Sequence, residues 1–151
     1  MFFLKDLPTP EMINQFSDVT AGTSAEAILR QLTLLRDASR TLRRVEAYLA
    51  DHGFSQTQFL TIMVIVREPG RAGLSPAEIA DRLDVSRPVL SKVLATMERN
   101  GLITRIAQKD DGRRVEMRLR PEGQARFDAL LPGYFAALMH EPEHRSDPAP
   151  C

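Results

Sequence analysis

The chain has 151 residues, 43% apolar and 26% charged, which suits one compact domain, or one domain with an appended arm, leaves little room for a second independent core and excludes a chain disordered throughout. Its 20 basic and 20 acidic residues sum to a formal net charge of zero, so the total points to no nucleic acid, membrane or acidic partner. The single cysteine, Cys151, excludes an intramolecular disulfide and a cysteine-built zinc site, and no apolar run approaches the ~20 residues that span a bilayer.

The start, Met1-Phe2-Phe3-Leu4-Lys5-Asp6, has no apolar stretch leading to a small-residue cleavage site, so the expected location is cytoplasmic. Residues 1–22 read as an apolar arm with Phe2, Phe3, Leu4, Leu7, Met12, Ile13 and Phe16, in which Pro8-Thr9-Pro10-Glu11 resembles a helix start. Three further starts share one chemistry. Thr23-Ser24-Ala25-Glu26, Ser55-Gln56-Thr57-Gln58 and Ser75-Pro76-Ala77-Glu78 each put a hydroxyl at the N-cap and Glu or Gln three residues on, and Pro76 suits a first helical position.

Over residues 23–54 a long helix carries Ile28, Leu32, Leu35, Ala38, Leu42, Val45 and Leu49 at a mean spacing of about 3.5 residues, a narrow seam that needs a partner. That partner is either the rest of the domain or a second copy of the chain. After Gly53, the stretch from Gln56 to about Arg67 is apolar nearly all round and reads as a buried helix ended by Pro69-Gly70. A short helix, Pro76 to Leu83, then a turn, Asp84-Val85-Ser86, then a helix from Arg87 to Asn100 closed by Gly101 follow. Beyond Gly101 the period becomes two: Val115, Met117 and Leu119 alternate with charged residues and can pair with Leu102 to Ala107 across a polar turn. Helical spacing resumes at Pro121 and reaches Met139, with Pro132-Gly133 expected to kink or split that helix. Residues 141–151 show no core-forming pattern and read as a flexible tail.

The segment 55–120 therefore reads as a helix-turn-helix with a hairpin. In the Arg87 helix, Leu90, Val93, Leu94 and Met97 form the inward stripe, leaving Arg87, Pro88, Ser91, Lys92, Ala95 and Arg99 outside. A helix that enters the major groove needs such a small, polar, basic face, and Ser86 at the N-cap leaves backbone amides facing a phosphate. Charge counting agrees: residues 82–120 hold ten basic and five acidic residues, so zero overall conceals +5 here and −5 elsewhere. At the hairpin tip Asp111-Gly112-Arg113-Arg114 projects two arginines suited to a minor groove, and Asp111 can hold Arg113 extended by a charge-assisted hydrogen bond.

The runs Leu74-Ser75-Pro76-Ala77-Glu78-Ile79-Ala80, Val85-Ser86-Arg87-Pro88-Val89-Leu90-Ser91, Met97-Glu98-Arg99-Asn100-Gly101-Leu102-Ile103-Thr104-Arg105, Asp111-Gly112-Arg113 and Leu119-Arg120-Pro121-Glu122-Gly123, in this order, resemble the MarR family of bacterial winged helix-turn-helix regulators over about residues 25–139. The resemblance implies a mainly α fold with a small β-hairpin, a winged helix-turn-helix (55–120) flanked by N-terminal (23–54) and C-terminal (121–140) dimerisation helices. It implies a homodimeric repressor, with Ile28, Leu32, Leu35, Leu42, Leu49 and Phe135 at the subunit interface. DNA would be held by Ser86, Arg87, Pro88, Ser91, Lys92, Arg99, Arg113 and Arg114, on a pseudopalindromic double-stranded operator. Release by a small aromatic or phenolic effector is also implied, from a crevice between the long first helix, the Phe59 to Val66 helix and the hairpin. No residue set identifies that ligand. Family members usually continue with a further long helix, and the apolar arm is expected to pack across the dimer in its place. Family peroxide sensors carry a reactive cysteine near the N-terminus, which this sequence lacks, so thiol sensing is not expected.

His140-Glu141-Pro142-Glu143-His144 matches His-Glu-x-x-His formally, but Pro142 breaks the helix that zinc protease chemistry needs. His52 reads as a helix-end dipole partner. With no phosphate loop, triad order or paired carboxylates, no enzyme, cofactor or metal site is expected. The alternative function is a winged-helix protein-interaction module whose basic face binds an acidic protein.

Overall fold

The computed structural model describes residues 3–16, 22–107 and 115–139. Its elements run α1 (Pro10–Asn14), α2 (Ala25–Asp51), α3 (Gln56–Val66), β1 (Gly73–Leu74), α4 (Pro76–Leu83), α5 (Arg87–Arg99), β2 (Ile103–Ala107), β3 (Val115–Leu119) and α6 (Pro121–Met139). The mainly helical class with a small sheet is as the sequence implies. The chain divides into two compact units, Met1–Val45 with Ala136–Cys151, and Glu46–Phe135.

In the first unit, Thr9 caps α1 by accepting from Met12 N at 3.3 Å, with Pro10 in the first turn. Helix α2 starts one residue later than a Thr23 cap would place it. Ser24 is the cap, its hydroxyl accepting from Ala27 N at 3.2 Å, so Glu26 falls too early to complete a capping box. Arg43 donates to Ser39 at 3.0 Å and Arg44 to the Ala137 carbonyl at 3.4 Å. Leu4, Met12, Phe16, Leu34, Leu35, Leu138 and Met139 remain exposed.

In the second unit, both expected capping boxes form. Ser55 pairs reciprocally with Gln58, and Ser75 with Glu78, each satisfying two helix-start donors that would otherwise lack partners. Helix α3 is buried through Phe59, Thr61, Ile62, Val64 and Ile65, and the Thr61 hydroxyl donates to the Thr57 carbonyl at 2.7 Å, which makes its burial tolerable. Phe59 centres an aromatic cluster, its ring 5.1 Å from Phe127 and 4.3 Å from Tyr134. The sheet is antiparallel in the order β1-β3-β2, with Ile103 opposite Leu119, Arg105 opposite Met117, Ala107 opposite Val115, and Leu74 opposite Met117. The hairpin is therefore as expected, but β1 is an addition: two residues are too few to show a period of two.

Two readings are corrected: the split at Pro132 and the interface role of Leu49. Helix α6 is neither split nor ended at Pro132 and runs unbroken for 19 residues. Pro132 is exposed, and Gly133 serves packing: a Cβ there would lie 2.2 Å from the Tyr48 hydroxyl, which donates to the Leu130 carbonyl at 3.1 Å. Leu49 is fully buried in the chain's own core, so it has no surface to offer a second subunit. Ile28, Leu32 and Leu42 are half-buried, and Leu35 and Phe135 exposed.

Candidate nucleic-acid interface

The turn between α4 and α5 is built by one left-handed residue. Asp84 has φ of 51°, a conformation Asp tolerates better than most residues with a side chain. Its N–H reaches the Asp81 carbonyl at 3.3 Å and the Val85 N–H reaches the Ala80 carbonyl at 3.1 Å. That double closure uses α4's last carbonyls and turns the chain into α5 within three residues. The far end of α5 closes the same way, with Gly101 at φ of 71° and bonds from Gly101 to Glu98 and from Leu102 to Met97, both 3.0 Å.

Helix α5 presents the two faces that the sequence implies. Leu90, Leu94 and Met97 are buried, Val93 is half-buried, and Arg87, Pro88, Ser91, Lys92, Ala95 and Arg99 are exposed. Arg99 lies back along the helix, donating to the Thr96 hydroxyl at 3.2 Å. Val89, which the face assignment passed over, is also half exposed at 50%. Ser86 occupies the N-cap but makes no side-chain cap bond, unlike Ser55 and Ser75. Among the described residues no side chain caps the first-turn amides of α5, the condition under which a helix start accepts an anion.

The linear count overstates the positive charge by the one arginine whose partner lies outside residues 82–120, and the other ion pairs fix where the remainder sits. Arg82 pairs with Glu68, Arg105 with Glu98 at 3.8 Å, and Arg118 with Glu116 at 3.1 Å. Among the described residues of 82–120, Arg87, Lys92, Arg99 and Arg120 have no ion-pair partner, so within that segment the uncommitted charge lies on α5 and at the start of α6. Asp111, Arg113 and Arg114 lie outside the described residues, as do Cys151 and the His140-to-His144 motif. No helix among the described residues is long and apolar enough to cross a membrane.

A cleft of about 870 Å³ opens between α4, α5, β2 and β3, with Pro76, Leu90 and Leu94 among its apolar lining and Ser91, Arg87 and Arg105 among its polar groups. It shares the hairpin with the effector crevice that the family resemblance implies, but α4 and α5 line it rather than α2 and α3. Along one side runs an ion-pair network that sequence reading missed, centred on Arg71. Its guanidinium takes Glu78 with both nitrogens, at 2.6 and 3.2 Å, and approaches Glu68 and Glu116 at 4.0 Å. Hydrogen bonds from Arg71, then from Ser75, hold the Glu78 carboxyl down to about 2, and Glu68 is lowered chiefly by its hydrogen bond from Arg82. Arg71 stands in no helical or strand pattern, so only the acidic residues at 68, 78 and 116 could have hinted at it.

The sequence model of the MarR family matches residues 52–114. The HTH-type transcriptional repressor YetL of Bacillus subtilis is 30% identical over 145 residues, covering 95% of this chain and 86% of that protein. The DNA complex of the transcriptional regulator MOSR from Mycobacterium tuberculosis superposes with a TM-score of 0.56 at 28% identity, covering 69% of this chain and 74% of the other. CouR of Rhodococcus jostii, solved with p-coumaroyl-CoA, superposes with a TM-score of 0.63 at 18% identity over 71% of this chain and 73% of that one.

Proposed function

Because this chain belongs to the MarR family and is a DNA-binding transcriptional regulator rather than an enzyme, we propose that it acts as a homodimeric repressor that reads a pseudopalindromic operator through α5. The observation that carries this is the outer face of α5, where exposed Arg87 and Lys92 flank small residues beside an uncapped helix start. Arg87 and Lys92 engage phosphates or guanine edges, Ser91 takes a base edge or phosphate, and Pro88 and Ala95 permit close approach. Ser86 and the first-turn amides hold a phosphate, and Arg99 contacts the backbone at the groove's edge. In the wing, Arg113 and Arg114 enter the flanking minor groove with Asp111 supporting Arg113.

A second copy of the chain covers the exposed Leu35 and Phe135 and the half-buried Ile28, Leu32 and Leu42, giving a two-fold axis that a pseudopalindromic site mirrors. An aromatic or phenolic effector relieves repression. The p-coumaroyl-CoA bound to CouR and the cleft against α5, with apolar walls and the Ser91 and Arg105 side chains, support this reading, since a ligand there sits beside the helix that reads DNA.

Selection from a random duplex pool tests the proposal. It should enrich an inverted repeat with half-sites about 10 base pairs apart. A pool that enriches no inverted repeat refutes it.

A further inference from the structure

The Arg71 network joins parts of the fold that must act together on DNA. Arg71 lies two residues before Gly73, and there the chain is pressed onto β3: a Cβ on Gly73 would stand 2.7 Å from both the Met117 carbonyl oxygen and Arg118 Cγ. With the segment flush against the sheet, the guanidinium of Arg71 extends to Glu78 in the first turn of α4 and to Glu116 on β3. Neither carboxylate is loosely placed. Glu78 also accepts from Ser75 N at 2.9 Å, and the Glu116 side chain is only 12% exposed and accepts from Arg118. Glu68, two residues past the end of α3, approaches the same guanidinium and holds Arg82 near the end of α4.

An isolated exposed ion pair adds little to stability. The consequence here is geometric, because the planar fork of arginine fixes direction as well as charge. Helix α4 is tied rigidly to α5 by the Asp84 turn, so tying α4 to β3 also ties α5 to the wing. The geometry points to Arg71 as a positioning residue for DNA recognition, clamping α4 to strand β3 so that α5 and the wing meet the duplex as one body. The inference rests on the DNA-recognition reading above and deepens it with a residue that touches no DNA.

A double-mutant cycle on operator affinity, read by fluorescence anisotropy, tests it. Arg71→Met weakens binding by about 2- to 30-fold, the range found for residues that couple sites without contacting either ligand. That loss disappears in an Arg113→Ala background, where the wing no longer grips the minor groove, and persists in a Lys92→Ala background. Arg71→Lys, which keeps the charge without the fork, gives an intermediate loss with the same pattern, and it carries the cycle if Arg71→Met melts below the assay temperature. Losses that add fully to Arg113→Ala, or that are absent in both Arg71 variants, overturn the clamp while leaving wild-type duplex binding intact. A wild-type protein that binds no duplex removes the functional reading itself, and the clamp with it.

Discussion

Gly123→Ala sets helix propensity against packing at a single atom. Gly123 is buried in the first turn of α6, and alanine there would gain about 0.5–1 kcal/mol from reduced chain entropy. Against that, the new Cβ would stand 2.2 Å from the Leu102 carbonyl oxygen and 2.7 Å from Leu119 Cδ1. Leu119 can rotate away. The Leu102 carbonyl cannot, because it accepts from Arg120 N at 2.9 Å while Leu102 N closes the end of α5 on Met97. Relief must therefore come from α6 backing off the sheet, which loosens Phe127 and Leu130 in the core. Because the obstacle at 2.2 Å is a fixed backbone oxygen, the upper part of the overpacking range applies, roughly 2–3 kcal/mol, so the balance is a net loss of about 1–2.5 kcal/mol and a melting temperature lower by about 2–10 °C for a protein of this size. Thermal and urea unfolding followed by circular dichroism measure it, with an unchanged urea slope expected. A variant as stable as wild type, or more so, would show that the close approach relaxes freely and that the reasoning is wrong.

Leu35→Asp, at a site 48% exposed, should shift sedimentation from dimer to monomer, and an unchanged dimer would remove Leu35 from the interface. Leu49→Ala, at a site with no exposure, should instead cost about 2–5 kcal/mol of folding stability, measured by urea unfolding. Glu78→Gln keeps the capping box and removes the charge. With the Glu78 carboxyl lowered from 4.5 to about 2, the stabilisation it adds is present above pH 4.5 and is lost as the pH falls toward 2. The stability gap between wild type and variant should therefore be constant above about pH 5 and close below it. It is expected to be roughly 1 kcal/mol or less, because the side chain is 37% exposed, and a gap that widens in acid contradicts the ion pair. Lys92→Ala should weaken operator binding, lowering its salt slope by about 0.9 for each phosphate that the ammonium neutralises, whereas an unchanged slope with altered base preference assigns Lys92 to a guanine edge.

What could be read from the residues was whatever local chemistry dictates. Ser55 and Ser75 with Gln58 and Glu78, the apolar period of α5, and the alternation of Val115, Met117 and Leu119 each declare an element within a few residues. The same holds for the outer face of α5, since a period of 3.6 assigns faces without knowledge of neighbours. What failed depended on distant partners. Pro132-Gly133 pointed to a kink or a split, but α6 is not split there, and Gly133 makes room for Tyr48, which lies far earlier in the chain. Leu49 carried the same seam spacing as Leu35, and only tertiary packing separates a core position from an exposed one. The charge count over residues 82–120 overstated the basic surface because Arg82 finds Glu68 outside the counted segment. Arg71 was invisible for the same reason, its carboxylate partners being scattered along the chain at 68, 78 and 116.

The central claim, that the exposed cations of α5, together with the wing, bind duplex DNA in a sequence-selective way, is tested most directly by the affinity for the selected inverted repeat as a function of salt, beside a scrambled duplex of equal length. Binding through these cations gives a straight log–log dependence with a loss of about 10³-fold or more between 50 and 200 mM salt, and a preference for the repeat at every salt concentration. Affinity that is flat with salt, or equal for the two duplexes, would contradict it.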